Sequence, residues 1–350
     1  MKRLIFSMMG FAMLFIVSAC GAAPANGTLY VYNVGEYIDK SVLKDFEKEF
    51  DVKVVYDVYD SNETMYQKIK AGGTSYDVTF PSDYMIEKMI SEDLLIPLDY
   101  SKIPNFDLVD DEYKNLAFDP ENEYYVPYFW GTVGIVYDKT VVTEPVDSWS
   151  ILWDEKYDNQ IYMYDSQRDS LMVALKLLGY SMNTQDLDEL EEAKQLLIEQ
   201  SSLVYAYVTD QVIDGMISGN AALAVVYSGD ANYIMSENED MAYAIPKEGS
   251  NFWVDGMVIP KTAQNIDMAH EFINYMMRPE VAMKNTEYVM YSTPNTEVFN
   301  EIKEEEWTQN DAYSPSTELL DSLNMESFRD PGKFLSEYDR VWTEVLAQQK

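Results

Sequence analysis

Cysteine and histidine are almost absent from this chain: each occurs once in 350 residues, as Cys20 and His270. One thiol cannot close an internal disulfide and cannot supply a zinc site built from cysteines. One imidazole excludes zinc and haem sites built from several histidines. We therefore expect no metal and no cofactor. The helical spacing of Ala269, Phe272 and Ile273 leaves His270 off the apolar stripe, which predicts a solvated position for its ring.

The chain also lacks the short motifs that accompany common catalytic mechanisms. It contains no G-x-G-x-x-G or Walker phosphate loop, no H-E-x-x-H zinc motif and no G-x-S-x-G nucleophile elbow. A Ser-His-Asp triad would have to use His270, which has no serine elbow to serve. Pairs of carboxylates could cleave glycosides, but 61 acidic residues produce such pairs by chance. The sequence predicts a protein that is not an enzyme, with an extracytoplasmic hydrolase as an alternative.

Basic residues are few: 25 lysines and arginines stand against 61 acids, for a net charge of −36. The first 19 residues hold two of the basic residues and none of the acids, so the rest of the chain carries −38. This charge argues against nucleic acid or an anionic membrane surface as a partner, and it would attract cations. The solubility of an exported acidic protein would explain the same total, so charge alone does not decide between the two.

Long hydrophobic runs are absent except at the N-terminus. A basic start is followed by an uncharged, apolar stretch over residues 4–19, of about 16 residues, shorter than the ~20 that cross a bilayer as a helix. This pattern predicts a signal peptide over residues 1–19. Because Val17-Ser18-Ala19 lead directly into Cys20, the site resembles a bacterial lipobox, in which the cysteine sulfur carries a diacylglycerol. We expect an extracytoplasmic protein anchored by lipid on Cys20 through a tether over 20–27, or alternatively an ordinary secreted protein.

Strand and helix patterns alternate along the remainder of the chain. Period-2 or apolar runs predict strands and 3.6-residue periods predict helices. The predicted strands cover residues 29–33, 52–59, 76–80, 160–164, 203–207, 221–227 and 257–260. The predicted helices cover residues 41–50, 62–71, 83–91, 170–178, 186–200 and a segment around 269–277. The alternation predicts an α/β protein with mostly parallel sheets, arranged as two lobes with a cleft between them.

Several loops at the ends of these predicted strands combine aromatic rings with carboxylates or hydroxyls. In open α/β sheets, ligands bind outside the carboxyl ends of strands. Rings with carboxylates at either end suit a flexible alkyl chain that bears ammonium groups: a cation over a ring gains ~0.5–2 kcal/mol, and a charged hydrogen bond ~1.5–3 kcal/mol. A sugar would prefer neutral polar partners. The candidate residues are Glu36, Tyr37, Ser82, Tyr84, Ser166, Asp169, Tyr227, Asp230, Trp253, Asp255 and Tyr291.

The same loops carry a resemblance to a known family. The chain resembles the substrate-binding lipoproteins of bacterial polyamine (spermidine/putrescine) ABC transporters, in order over almost the whole sequence after the signal peptide. The segments that carry the resemblance include LYVYNVGEY at 29–37, YDVTFPSDY at 76–84, PYFWG at 127–131, RDS at 168–170, ALKLLGYS at 174–181, FWVDG at 252–256 and TPN at 293–295.

The resemblance implies a two-lobed, type II periplasmic-binding-protein-like fold that closes over a polyamine and then docks on an ABC permease. Lobe one would comprise residues 28–135 and 256–303, and lobe two residues 136–255 and 304–350. The sequence itself shows no sign of an obligate oligomer, so we expect a monomer, and its charge argues against nucleic acid. By position, Glu36, Tyr37, Ser82, Tyr84 and Tyr291 match lobe-one contacts; Trp253 and Tyr227 match aromatic walls; Asp255 matches the central amine-binding carboxylate; Ser166 and Asp169 match an acidic pair; and Asp230 matches a carboxylate of putrescine-preferring members.

The chain departs from the family pattern at three places. Val34 and Gly35 stand where members often have Trp and a hydroxyl residue, and Ser166 replaces an acid seen in some spermidine binders. No Gln aligns near Phe328 and Arg329. Polyamine remains the expected ligand class, with the choice between putrescine and spermidine open and a slight preference for putrescine. Alternatives are a basic amino acid, thiamine or a sugar as ligand, or a surface adhesin.

Overall fold

The computed structural model describes residues 24–348. The predicted signal peptide, Cys20 and residues 21–23 of the predicted tether lie outside the described residues. Within residues 24–348, no helix has both the length and the apolar character needed to cross a membrane.

Lobe one, defined here as the part built on the first sheet, contains three parallel strands in the order β2-β1-β3. They are β1 (Thr28–Val34), β2 (Lys53–Tyr59) and β3 (Val78–Thr79). Helices α1 (Lys40–Phe50), α2 (Asn62–Ala71) and α3 (Asp83–Ser91) follow these strands in turn. Asp39 and Ser61 cap α1 and α2 by accepting backbone N–H groups. The predicted βαβ arrangement is therefore present.

The third strand is shorter than the predicted strand over residues 76–80. The N–H of Thr79 donates to the carbonyl oxygen of Val258 on another segment, and Pro81 has no N–H to continue the ladder with β1. Strand β3 is thus limited to two residues, and the chain turns at once into α3.

A single long strand, β4 (Val126–Asp138), runs through both halves of the molecule. Its first half, Val126 to Thr132, pairs antiparallel with β9 (Phe252–Met257). From Val133 onward it pairs with β7 (Leu223–Tyr227) and β8 (Met241–Ala244). The change of partners between Thr132 and Val133 makes β4 a continuous connection between the lobes.

The predicted strand over residues 257–260 is displaced in the structure. The regular pairing covers Phe252–Met257, and beyond it Val258 and Pro260 make only isolated bridges, to Thr79 and Leu95. The apolar run is buried, but it extends past Val126, the first residue of β4, and Pro260 has no N–H to donate. Pairing with β4 therefore decides where this strand begins and ends, and the apolar run alone predicted these limits wrongly.

Lobe two, the part built on the second sheet, contains strands in the order β6-β5-β7-β4-β8. Strands β5 (Ile161–Tyr164) and β6 (Val204–Val208) are parallel to each other, and β7 is parallel to β5. Four helices cover this sheet: α4 (Gln167–Leu178), α5 (Leu187–Gln200), α6 (Gln211–Ile217) and α7 (Ser228–Glu237). Helix α4 begins three residues earlier than predicted because Ser166 caps it.

The C-terminal segments return to both lobes. Helices α8 (Ile266–Met276), α9 (Pro279–Val289) and α10 (Thr296–Ile302) follow β9, and α8 packs its apolar face into the core around β1. Helices α11 (Thr317–Ser322) and α12 (Leu335–Leu346) come last, and α12 joins the core around α4 and β5. The chain therefore crosses between the lobes more than once.

The prediction that His270 is solvated is wrong. Its side chain is 3% exposed. Nε2 accepts the backbone N–H of Asp99 at 3.0 Å, and Nδ1 lies 2.8 Å from the carbonyl oxygen of Ile266. A short 3₁₀ turn over Tyr100–Lys102 packs against α8 and covers this side of the helix, which the helical spacing of α8 alone could not reveal.

Candidate ligand-binding site

The candidate residues are carried mainly by elements that begin or end at the interface of the lobes. Tyr37 follows β1, and Asp169 and Asp230 lie in the first turns of α4 and α7. Tyr227 is the last residue of β7, and Asp255 lies within β9. Because strands of an α/β sheet end at one edge, these side chains lie near one another at the interface.

Asp255 forms the lobe-one half of the candidate site. Its Oδ2 accepts a hydrogen bond from the hydroxyl of Tyr37 at 2.8 Å, and its backbone bridges to Ser82. Over residues 24–348, its buried Oδ1 has no hydrogen-bond partner. Burial raises the pKa of Asp255 to about 6. This carboxylate therefore has an unused acceptor in a poorly solvated place.

Asp169 repeats this arrangement in lobe two. Its Oδ2 accepts a hydrogen bond from the hydroxyl of Tyr227 at 3.0 Å, and its residue is 3% exposed. Its Oδ1 is buried and finds no partner in the described part of the chain. Burial again raises the pKa of the carboxyl. Ser166 contributes to α4 as its cap, with Oγ 3.3 Å from the backbone N of Asp169.

Asp230 connects the two lobes. Its Oδ1 accepts a hydrogen bond from the hydroxyl of Tyr291 at 3.1 Å, and burial raises its pKa to about 7. The ring of Tyr291 lies directly against Gly229, where an added Cβ would come within 2.4 Å of the ring carbon Cγ. Glycine at this position therefore permits the close approach that the bond between Asp230 and Tyr291 requires.

Four aromatic rings form a continuous wall between the carboxylates. Trp253 meets Tyr227 at 5.9 Å and Tyr291 at 5.2 Å between centroids, and Tyr291 meets Tyr37 at 5.8 Å. All three contacts are edge-to-face, a favourable geometry that leaves ring faces available to other groups. The wall extends from the tyrosine that holds Asp169 to the tyrosine that holds Asp255.

Tyr84 and Glu36 make their side-chain hydrogen bonds to residues outside this wall. The Tyr84 hydroxyl donates to Glu63 at 2.9 Å, and its ring faces Phe328 across the lobes at 6.3 Å. Glu36 is exposed, accepts a hydrogen bond from the hydroxyl of Tyr288 at 2.8 Å and pairs with Lys40 at 3.2 Å. The structure thus brings Tyr37 to the interface and turns the adjacent Glu36 outward.

Sequence reasoning missed two buried charged residues beside the site. Asp83 is 1% exposed, and burial raises its pKa to about 8; its Oδ1 accepts the N–H of Tyr84 at 2.7 Å. Arg168 is 6% exposed, with its guanidinium 4.5 Å from the ring centroid of Phe328. The only sequence signal was their adjacency to the candidate residues, because either would normally be solvated in the first turn of a helix.

The chemistry of this interface is that of a binding site for cations. No group of three metal-ligating side chains is found among residues 24–348. The carboxylates of Asp169, Asp230 and Asp255 offer hydrogen-bond acceptors, and the aromatic wall offers apolar and cation–π contacts.

Comparisons with known proteins agree with this geometry. The model of the family "bacterial extracellular solute-binding protein" matches residues 41–315. A spermidine/putrescine-binding periplasmic protein of Salmonella typhimurium is 38% identical over 275 residues, covering 78% of this chain and 79% of the relative. A putrescine-binding periplasmic protein of Pseudomonas aeruginosa is 33% identical over 99% of both chains.

A solved structure shows the same fold. The spermidine/putrescine ABC transporter substrate-binding protein of Streptococcus pneumoniae is 43% identical and superimposes with a TM-score of 0.80, covering 93% of this chain and 100% of that chain. The predicted two-lobed fold and the prediction of a binding protein rather than an enzyme are confirmed by these relatives. The chain belongs to the bacterial extracellular solute-binding proteins.

Proposed function

We propose that this protein captures a polyamine, putrescine or spermidine, between its lobes and delivers it to an ABC permease for import. One observation carries the proposal. Asp255 in lobe one and Asp169 in lobe two each use one oxygen for a tyrosine hydroxyl and keep the other buried without a partner in the described structure. An ammonium group is the donor that both of these oxygens lack.

The energetics favour a diamine over a neutral ligand. A buried acceptor without a partner costs ~1–3 kcal/mol, and that cost disappears when an ammonium donates to it. Two such contacts plus the methylene chain packed on Trp253 and Tyr291 are of the size needed for micromolar binding, ~8 kcal/mol net of association costs. Closure excludes water and strengthens each charge contact.

The lobe limits expected from the sequence are 28–135 with 256–303 and 136–255 with 304–350, and we propose to move one of them. The change of partners on β4 between Thr132 and Val133 supports a boundary near residue 135. Strand β9 pairs with the first half of β4 and Asp255 bridges to Ser82, so we assign β9 to lobe one and move the boundary at residue 256 to about residue 252. The site would then be shared between lobes, as capture by closure requires.

The choice between putrescine and spermidine depends on Asp230 in this proposal. The hydrogen bond between Asp230 and Tyr291 lies on the far side of Trp253 from Asp169. Asp230 therefore offers a third carboxylate at the interface. The names of the relatives include both ligands. The Salmonella protein is named for spermidine and putrescine, and the Pseudomonas protein is named for putrescine. Both ligands therefore belong in the test.

Titration calorimetry with putrescine and spermidine tests the proposal. We expect saturable one-to-one binding in the micromolar range for at least one of them. The control is 1,4-butanediol, which has the same chain as putrescine and no charge, and which we expect not to bind. An absence of heat and of thermal stabilisation at millimolar polyamine would contradict the proposal.

The substitution Asp255→Asn isolates one carboxylate. It preserves the shape that accepts the Tyr37 hydroxyl and removes the charge, so we expect the dissociation constant to rise at least about tenfold, which is ~1.4 kcal/mol. The matched control is Glu36→Gln, an acid of the same predicted set that the structure turns outward; its dissociation constant should change less than twofold. An equal loss in both variants would refute the assignment.

Binding should weaken as the pH falls. Burial raises the pKa of Asp255 to about 6 and of Asp230 to about 7, whereas amines stay protonated throughout this range. Below pH 7 the carboxyls take up protons that the ligand must displace, so affinity should fall at least about tenfold from pH 8 to pH 5.5. The unliganded fold should show the opposite trend and lose stability as pH rises from about 4 to 7, because folded carboxyls with raised pKa values retain protons that the unfolded chain releases. Calorimetry and thermal melts over this pH range measure both trends, and a pH-independent affinity would contradict the first.

We further propose that the mature chain is a monomer anchored at the outer face of the cell membrane by lipid on Cys20. The support is the resemblance of residues 17–20 to a lipobox. Labelling of cells with an alkyne-tagged fatty acid should mark the wild-type protein and leave Cys20→Ala unlabelled. Equal labelling, or none in either, would refute the anchor.

A further inference from the structure

At the edge of the cleft, helix α3 of lobe one meets a short segment of lobe two. Helix α3 buries Met85, Ile86 and Met89 in the core that contains Tyr32 of β1. The segment Phe328 to Pro331 begins with a phenylalanine that is buried in the other core, with α4 and α12. The buried residues on the two sides of this contact therefore belong to different cores.

Glu87 on α3 receives three kinds of donor from this segment. Arg329 Nε lies 3.1 and 3.0 Å from the two carboxylate oxygens of Glu87, and Arg329 Nη2 also donates to Oε1. The backbone N–H of Asp330 donates to Oε2 at 3.0 Å. A forked pair of this kind is stronger than a single exposed ion pair.

The next residue on each side forms a second pair of opposite polarity. Lys88 Nζ lies 3.5 Å from Asp330 Oδ1, and their side chains are 19% and 20% exposed. Lobe one thus offers an acid and a base in adjacent positions, and lobe two answers with a base and an acid. This alternation favours one relative position of the two lobes.

The segment is in turn linked to Arg168, the neighbour of Asp169 in the candidate site. The backbone N–H of Arg329 donates to Asn183 Oδ1 at 2.9 Å, and Arg168 Nη2 donates to the same oxygen at 2.9 Å. The Arg168 guanidinium lies 5.9 Å from the ring centroid of Tyr84 in lobe one. Arg168 is adjacent in sequence to Asp169, a candidate ligand carboxylate. Asn183 and Arg168 therefore connect Arg329 to Asp169.

We propose that Glu87 and Arg329 form a latch that holds the closed form and thereby sets how long the ligand stays bound. They are positioning residues that touch no ligand and act through the relative position of the lobes. This inference rests on the proposed capture by closure. A contact made only when the lobes meet stabilises the closed form alone, so its loss accelerates release and leaves encounter with the open form unchanged.

Stopped-flow kinetics with putrescine test the latch. Glu87→Gln and Arg329→Gln should each raise the dissociation rate constant about three- to tenfold and change the association rate constant less than twofold. The double variant should release ligand no faster than the faster single variant, because either change breaks the same contact. The matched control is Glu144→Gln, which breaks the ion pair between Glu144 and Lys156 inside lobe two. The side chains of Glu144 and Lys156 are 33% and 50% exposed, which is similar to the 23% and 47% of Glu87 and Arg329. The control should leave both rate constants unchanged.

Unchanged dissociation in both single variants, additive effects in the double variant, or an equal effect of the control would overturn the latch. If the wild-type protein binds neither putrescine nor spermidine, the proposed function fails and the latch is decided by small-angle X-ray scattering on the unliganded protein. The double variant should then have a larger radius of gyration than the wild type and Glu144→Gln, and equal radii would overturn the latch.

Discussion

A carboxylate buried against aromatic rings, with one oxygen held by a tyrosine hydroxyl, is the constraint on which the rest of this structure depends. Asp255 with Tyr37 and Asp169 with Tyr227 show this arrangement in separate lobes. Burial disfavours the charged form, and the raised pKa values of both carboxyls express this. An apolar side chain would suit the folded protein better at either place, and this is the observation behind the proposed polyamine site.

The fold holds these two carboxylates on lobes that share the continuous strand β4. Strand β4 exchanges β9 for β7 and β8 without a break in the chain, so the lobes share a backbone connection at the site itself. At the interface, Gly229 allows the ring of Tyr291 to approach α7 and reach Asp230. The ion pair between Glu87 and Arg329 lies instead at the more exposed edge of the interface. Water screens charges more strongly there, so the forked geometry of the pair matters most.

Much of the local structure could be predicted because it depends on neighbours along the chain. Helices α2 and α3 begin and end where predicted, and α2 is capped by Ser61 and ended by Gly72 in a left-handed conformation. His270 and the strand near residue 257 could not be predicted, since the turn after Asp99 and the end of β4 come from distant parts of the sequence. Hydrophobic periodicity reports that a face is covered but does not say by which segment.

The sequence by itself determined that this is an acidic α/β chain with few catalytic groups and with rings and acids at the ends of its strands. The tertiary structure alone decided which of those acids meet. In the turn after β1, Tyr37 enters the interface while the adjacent Glu36 faces solvent. Asp83, unremarkable as the first residue of a helix, is buried because β9 and lobe two close over it. The position of a residue along the chain identifies it as a candidate. The desolvation of a carboxylate, which makes it seek a charged donor, arises only when the two lobes pack together.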